Sequence, residues 1–480
     1  MEGFTNVIDV RSLTVFYGEK KGIDDVNLSI DEGEIVLVGG ESGCGKSTLM
    51  NAICGFIPHI MPARISGEIY IEGKRINSPV EVARIVGMVQ QEPDSQFCTE
   101  TVEEEIAFGP ENFNFERKEI ENAINESLSA VNAKHLRKRK LVELSGGEKQ
   151  KVSIASMLAV KPRVLILDEP TASLDQKSIK EVLDAIRNLR EDRKITLIIV
   201  EHRLERFFEI STRLILMENG KIFLDCKKGS LEYDRFKKDT NKDFEFRINQ
   251  SRKEYGDRNV ISVRNLTFKY GNRRILDCVN LDIKEGSIVG LLGNNGTGKT
   301  TFLRLLCGLE NIQEGSITIF GNRYDSKNLP KVWMIARVLG LVFQNPTHQI
   351  FENSIEKEIL FASKNFCLDL TNALKTVEEY EKKEGVRRDR HPNRLSFGQK
   401  RRLNILSVSS YQPRVLLLDE PLAGQDTKNV LLICEVLQRL HENGVTILIV
   451  THEPSFARSF CTHTYTFKDG KIVEGCDDEV

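Results

Sequence analysis

Residues Glu34–Phe56 read EIVLVGGESGCGKSTLMNAICGF, and residues Ser287–Leu309 read SIVGLLGNNGTGKTTFLRLLCGL. In both, an apolar run of strand length passes through a glycine-rich turn into an amphipathic segment with helical spacing. The turns are Gly40-Glu41-Ser42-Gly43-Cys44-Gly45-Lys46-Ser47-Thr48 and Gly293-Asn294-Asn295-Gly296-Thr297-Gly298-Lys299-Thr300-Thr301, and both match GxxxxGK[ST]. Glycines at this spacing let backbone N–H groups converge on phosphate oxygens, and the helix N-terminus adds a favourable dipole. Lys46 and Lys299 are then expected to reach the β- and γ-phosphates, and the Ser47 and Thr300 hydroxyls to ligate Mg²⁺. A glycine-rich turn can match the pattern and bind nothing. Two copies, each between a strand and a helix, favour the phosphate loop.

Outward from these loops the chain repeats itself. LSGGEKQ (Leu144–Gln150) returns as LSFGQKR (Leu395–Arg401), and RVLILDEP (Arg163–Pro170) as RVLLLDEP (Arg414–Pro421). TLIIVEH (Thr196–His202) returns as TILIVTH (Thr446–His452). The offsets are 299 − 46 = 253 for the lysines, 396 − 145 = 251 for the serines and 446 − 196 = 250 for the threonines. Four motifs in one order at a nearly constant offset describe a duplicated domain, because the period is too long for a solenoid repeat. The copies open on the alternating segments IDVRSLTVFYG and ISVRNLTFKYG. Short apolar runs separated by helical stretches imply an α/β fold with a parallel core, whose strands are buried on both faces. Between the copies, 17 of the 33 residues of Lys227–Asn259 are charged, which reads as an exposed, partly ordered linker. The expected organisation is residues 1–240, a linker at 241–259, and residues 260–480.

Further residues gather at the same sheet edge. Asp168-Glu169 and Asp419-Glu420 stand where buried strands emerge, the edge at which open parallel sheets bind ligands. Asp168 and Asp419 are expected to hold Mg²⁺, and Glu169 and Glu420 to orient the water that attacks the γ-phosphorus. Alone, each pair would read as solvated carboxylates at a strand end; their place after a phosphate loop in both copies argues otherwise. His202 and His452 end the next strand and are placed to sense the γ-phosphate. A lone histidine is more often structural, but this one recurs. Gln91 (in VQQEPDSQ) and Gln344 (in VFQNPTHQ) follow short strands, and each is placed to touch Mg²⁺ or the attacking water. Tyr17 and Tyr270 occupy equivalent places after the opening strands, where stacking on adenine competes with a core role.

Composition is that of a globular protein of 480 residues, with 40% hydrophobic and 29% charged residues. A formal net charge of −2 gives no electrostatic case for nucleic acid as the main partner. The ten cysteines include no CxxC pair and no Cys/His run at metal-ligand spacing, which fits a reduced compartment. The opening MEGFTNVIDVRSL lacks the regions of a signal peptide, and no lipidation motif is evident. No apolar run approaches the roughly 18 residues that span a bilayer.

Together these residues resemble the ATP-binding-cassette ATPases over nearly the whole chain. LSGGEKQ carries the resemblance, since phosphate loops occur in many NTPases but this signature is peculiar to cassettes. The resemblance implies two tandem nucleotide-binding domains, each with a phosphate-loop core, an antiparallel β subdomain and a helical subdomain. It implies ATP and Mg²⁺ as ligands, with each signature serving the phosphate loop of the opposite domain. Site one would then combine Lys46, Gln91, Asp168, Glu169 and His202 with Ser396 and Gly398. Site two would combine Lys299, Gln344, Asp419, Glu420 and His452 with Ser145 and Gly147. Phe397 departs from the family's glycine, yet the serine and the second glycine remain, and phenylalanine is acceptable there at negative φ.

QQEPDSQFCTETVEEEIAFGPENF (Gln90–Phe113) and IIVEHRLE (Ile198–Glu205) resemble the ATPases of energy-coupling-factor importers, which take up vitamins and metal ions such as cobalt and nickel. That resemblance implies a peripheral protein on the cytoplasmic face of the cell membrane. Its partners would be a coupling-helix membrane subunit and a substrate-capture protein, docked through the segment after Gln91, with Glu103–Glu105 contributing. The second copy keeps only part of the pattern, NPTHQIFENSIEKEILFASKNF. The rival reading is a soluble tandem-cassette ATPase acting on ribosomes, in DNA repair or in regulation. Such proteins carry a long charged arm or cysteine clusters, and this chain shows neither. Tandem sugar-importer ATPases typically have an extra asparagine before the signature glutamine, which LSGGEKQ lacks.

Overall fold

Residues 6–76, 78–172, 174–192, 195–240 and 256–475 are described by a computed structural model, which divides into two units, Met1–Phe244 and Glu245–Val480. In the first unit the strands are β1 (Asn6–Tyr17), β2 (Lys20–Asp31), β3 (Ile35–Gly39), β4 (Arg64–Ile71), β5 (Lys74–Arg75), β6 (Val86–Val89), β7 (Val164–Asp168), β8 (Thr196–Val200), β9 (Arg213–Glu218) and β10 (Lys221–Lys227). They form an antiparallel sheet in the order β2-β1-β4-β5 and a six-stranded sheet in the order β10-β9-β3-β8-β7-β6. Every pairing in the larger sheet is parallel except β9 with β10.

The apolar runs are strands because both faces of that sheet are covered. Ile35, Leu37, Leu165, Leu167, Leu197 and Ile199 enter one hydrophobic cluster. Their alternating neighbours Val36, Val38, Val164, Ile166, Ile198 and Val200 enter the other. The period-two alternation of a strand thus sorts one continuous apolar run between two layers.

The second unit repeats this strand for strand. Its strands are β11 (Asn259–Tyr270), β12 (Arg273–Lys284), β13 (Ile288–Leu292), β14 (Glu314–Ile319), β15 (Asn322–Asp325), β16 (Leu339–Val342), β17 (Val415–Asp419), β18 (Thr446–Thr451), β19 (His463–Lys468) and β20 (Lys471–Glu474). The sheet orders are β12-β11-β14-β15 and β16-β17-β18-β13-β19-β20, the same topology shifted by ten strands. In each unit a helical layer follows the six-stranded sheet's edge strand, β6 or β16. It contains helices Val102–Asn112, Arg117–Ala130 and Gly146–Leu158 in one copy, and Ile355–Asn365, Thr371–Glu384 and Phe397–Ser409 in the other.

The charged stretch between the copies is more ordered than its composition suggests. Residues Leu231–Thr240 form a helix, and its Tyr233 is buried, with its hydroxyl donating to the Phe208 carbonyl at 2.9 Å. Tyr233 also packs edge-on against Phe208. Residues 241–255 of the expected linker lie outside the described residues. Among the described residues, no helix is long and apolar enough to cross a membrane.

Candidate active sites

Each phosphate loop leaves the end of a buried strand and enters a helix, Lys46–Ile53 after β3 and Lys299–Leu306 after β13. The loop needs glycine where backbone passes backbone. At Gly40 (φ 141°) a Cβ would stand 2.3 Å from the Met217 carbonyl oxygen, and at Gly45 (φ 110°) one would stand 2.7 Å from that of Gly22. The loop lysines are buried to 5% exposure. Nζ of Lys46 donates to the carbonyls of Gly40 (2.7 Å) and Glu41 (3.0 Å); Nζ of Lys299 donates to those of Gly293 and Asn294 (2.9 Å). Both ammonium groups are therefore held inside their own loops, where phosphates would sit.

The acidic pairs follow at the ends of β7 and β17. Parallel register sets Asp168 beside Val200 and Asp419 beside Val450, so acid and histidine emerge from adjacent strands. The next residue in each copy takes a left-handed backbone conformation, with φ 49° at Glu169 and 46° at Glu420. Non-glycine residues seldom adopt it, and where they do the surroundings must enforce it. Here the Glu169 amide donates to the Val200 carbonyl (2.8 Å) and the Glu420 amide to that of Val450 (2.9 Å). The same strain at the same position in both units turns each glutamate side chain toward its histidine.

In the first unit Oε1 of Glu169 lies 2.9 Å from Nε2 of His202, and Oε2 accepts a 2.7 Å hydrogen bond from Nε2 of Gln91. In the second, Oε2 of Glu420 lies 2.9 Å from Nδ1 of His452, and Oε1 lies 3.8 Å from Nζ of Lys299. Gln344 differs from Gln91: its side chain is exposed, and among the described residues it makes no hydrogen bond to Glu420. Burial alone would lower the pKa of His202, but the hydrogen bond and charge of Glu169 outweigh it, and the net shift is upward. His452 shifts upward too, its burial outweighed by the charge and hydrogen bond of Glu420. Burial, reinforced by the charge of Glu169, pushes the Asp168 carboxyl up to about 6.

Thr300 Oγ1 donates to Asp419 Oδ2 at 2.8 Å, which places a hydroxyl and a carboxylate oxygen together at the loop. Such a pair fits Mg²⁺, a hard cation that takes one or two carboxylates and completes its octahedron with phosphate and water. Among the described residues no group of three or more His, Cys, Asp or Glu forms a metal-binding set.

The remaining candidates divide. Ser145 and Ser396 are N-caps of helices Gly146–Leu158 and Phe397–Ser409, each in a capping box with Glu148 or Gln399. Phe397 is the first residue of its helix and is absent from the positive-φ residues, so the departure from glycine is not a strained one. Gly147 and Gly398 lie one residue further, both buried. Tyr17 and Tyr270 are 40% and 44% exposed rather than core. The Tyr17 hydroxyl reaches Thr48 Oγ1 at 3.5 Å, whereas that of Tyr270 donates to Glu310 at 2.9 Å.

Two buried residues escaped the motif reading. Glu201, which precedes His202, accepts from the Thr171 hydroxyl (2.6 Å) and from the His202 amide (2.9 Å). Thr171 in turn accepts from Arg206 at 2.8 Å. Arg401 of the second signature donates to the carbonyls of Phe343 and Gln344. The one sequence signal for Glu201 was an acid closing a wholly buried strand. The acids of the segment after Gln91 are internally engaged. Glu103 pairs with Arg137 at 2.6 Å and Glu104 closes a capping box with Thr101. Buried Glu105 accepts from the Cys98 and Thr99 amides at 2.9 and 3.1 Å.

Residues 23–172 and 276–423 match the family described as ABC transporter. A relative from Methanosarcina mazei, whose name includes ABC transporter ATP-binding protein, is 35% identical over 98% of this chain and 94% of its own. One from Sulfurisphaera tokodaii with the same words in its name is 34% identical over 99% of both chains. A Bacillus subtilis relative, whose name includes HMP/thiamine import ATP-binding protein YkoD, is 32% identical over 98% of this chain and 91% of its own. With both cassettes matched and the likeness running end to end, the chain belongs to the ABC transporter family as a tandem pair of its ATPase domains.

Proposed function

We propose that this chain is the energy-coupling ATPase of a membrane importer of the energy-coupling-factor type, bound to the cytoplasmic face of the membrane. The observation that carries its chemistry is the glutamate at each sheet edge, turned by a left-handed backbone onto the histidine of the neighbouring strand. Glu169 and Glu420 orient the attacking water, and His202 and His452 sense the γ-phosphate. Lys46 and Lys299 neutralise phosphate charge that grows toward the transition state. Ser47, Asp168 and Gln91 would hold one Mg²⁺, and Thr300, Asp419 and Gln344 the other; the ion would supply charge neutralisation to the phosphates. Ser145 with Gly147, and Ser396 with Gly398, are the proposed signature contacts to nucleotide phosphate. Tyr17 and Tyr270 are the proposed adenine contacts.

Import is favoured by the name of the Bacillus subtilis relative and by an apolar groove of about 300 Å³ in the second unit. Leu309, Phe343, Phe351 and Phe361 line it, and all four are exposed. It opens between the segment after Gln344 and helix Ile355–Asn365, where a short amphipathic helix of a membrane subunit would dock. Glu103–Glu105, engaged internally, are poor docking groups, so apolar contact is the better candidate. Co-expression with the membrane subunits tests the reading: the chain should pellet with them and be released by Phe361→Glu without loss of ATP binding. Co-sedimentation with ribosomes instead would support the rival, a soluble tandem-cassette ATPase.

A further inference from the structure

We propose that Arg401 is a positioning residue of the second unit: its buried guanidinium bolts the signature helix to the backbone of the Gln344 loop and sets where that loop stands. The inference rests on the reading of that unit as an ATP site. Arg401 is 1% exposed and heads the unit's largest fully buried side chains. It donates to the Phe343 carbonyl at 2.8 Å and to the Gln344 carbonyl. These two residues follow β16 directly, where the chain leaves the sheet. The loop is gripped from its other side as well, since the Phe343 amide donates to Gln349 Oε1 at 2.9 Å.

Burying a cation is costly, and a carboxylate partner is the usual compensation. Among the described residues none lies within 4.0 Å of Arg401; carbonyl dipoles take that place. Burial pushes its pKa down to about 10, while the charges of Asp419 and Glu420 pull it back up. The side chain therefore stays charged at neutral pH, and its field in turn favours the ionised form of Asp419.

The equivalent residue of the first signature is Gln150, buried and neutral. Phe397 and Arg401 are two of the three positions at which LSFGQKR departs from LSGGEKQ. They are four residues apart on one helix, hence on one face, and the guanidinium lies 5.6 Å from the ring centroid. The two departures are thus a single contact. The second unit has exchanged a neutral amide for a forked cation that holds two consecutive carbonyls, a geometry that suits arginine and not lysine.

The experiment uses the full chain with Arg401→Gln, the residue its own first copy tolerates, and with Arg401→Lys. Amide hydrogen exchange is followed in residues 343–349 and, as internal reference, in the segment after Gln91. Arg401→Gln should speed exchange at 343–349 by about tenfold with the reference unchanged. Its kcat should fall several-fold with KM for ATP nearly constant, and Arg401→Lys should restore only part of either. Unchanged exchange at 343–349 overturns the proposal, as does full rescue by lysine. Should Arg401→Gln fail to fold, Arg401→Lys decides alone, with faster exchange expected and wild-type exchange fatal. An ATP stoichiometry left unchanged by Lys299→Ala, with Lys46 intact for the first site, would defeat the ATP-site reading of this unit without touching the exchange result.

Discussion

Nε2 of His202 lies 2.9 Å from Oε1 of Glu169, across two strands that pair in parallel register. The histidine thereby holds the carboxylate proposed to orient the attacking water, and the second unit repeats the arrangement with His452 and Glu420. Glu169→Gln and Glu420→Gln should each slow steady-state ATPase strongly, with a loss of about 10²–10⁴ in the affected site. Single-turnover assays on each variant measure this. If Glu169→Gln left ATPase and transport unchanged, site one would be a structural nucleotide holder.

The same contact predicts a pH dependence. The folded pKa of His202 is raised, burial being outweighed by Glu169, so the pair's stabilisation is complete below the ordinary histidine value of about 6.5. It is lost as pH rises through the raised value. Asp168, pushed up to about 6 by burial and by Glu169, adds in the same direction, because its repulsion from Glu169 grows as it ionises. The melting temperature of nucleotide-free Glu169→Gln should therefore fall below that of the parent at pH 6 and approach it at higher pH. Parallel curves would contradict the contact.

Nucleotide binding itself should depend on the buried ammonium groups. Lys46→Ala combined with Lys299→Ala removes both charges from loops that otherwise enclose them, and ATP binding by the full chain should disappear in equilibrium dialysis. Tight binding by the double variant would sink the phosphate-loop assignment.

The parallel core was legible because residues such as Val164–Leu167 are buried on both faces, which writes an apolar run into the sequence. The phosphate loops were legible because only glycine permits their backbone approach. The grip of Glu169 was not, since Gln91 and His202 are 78 and 33 residues away and meet it only through strand order. Arg401 was hidden for another reason: a charged residue on a helix reads as exposed, and its burial and its bonds to the Gln344 loop appear only once the chain is folded. Helix Leu231–Thr240 was masked by its charge. Yet Tyr233 and Phe236, three apart and both packed on the first unit's core, were the apolar stripe that marked it.

Glu201 ties the histidine turn to the segment after Glu169. Removing its carboxylate in Glu201→Ala strips the acceptor from the buried Thr171 hydroxyl and from the His202 amide. Leaving such groups unpaired costs about 1–3 kcal/mol each. Denaturant unfolding should show this loss in the first unit's transition, with lower ATPase activity. Thr171→Val should destabilise in the same sense, and additive effects of the two substitutions would show that they are not coupled.

The signature turn offers the sharpest contrast between adjacent positions. At Gly398 a Cβ would stand 2.7 Å from Nδ2 and 2.9 Å from Cγ of Asn429. Asn429 cannot easily yield, because its amide oxygen accepts from Arg402, whose guanidinium is also paired with Glu384. Gly398→Ala should therefore destabilise the second unit by about 1–3 kcal/mol through overpacking. Phe397 begins the helix without backbone strain and is only partly buried, so Phe397→Gly should fold and retain ATPase activity. It removes only the ring's contact with Arg401 and adds the usual glycine penalty of about 0.5–1 kcal/mol. Thermal melts of the two variants, read beside their ATPase rates, decide the matter. A tolerated Gly398→Ala together with an inactive Phe397→Gly would mean that the phenylalanine, and not the glycine after it, makes this turn work.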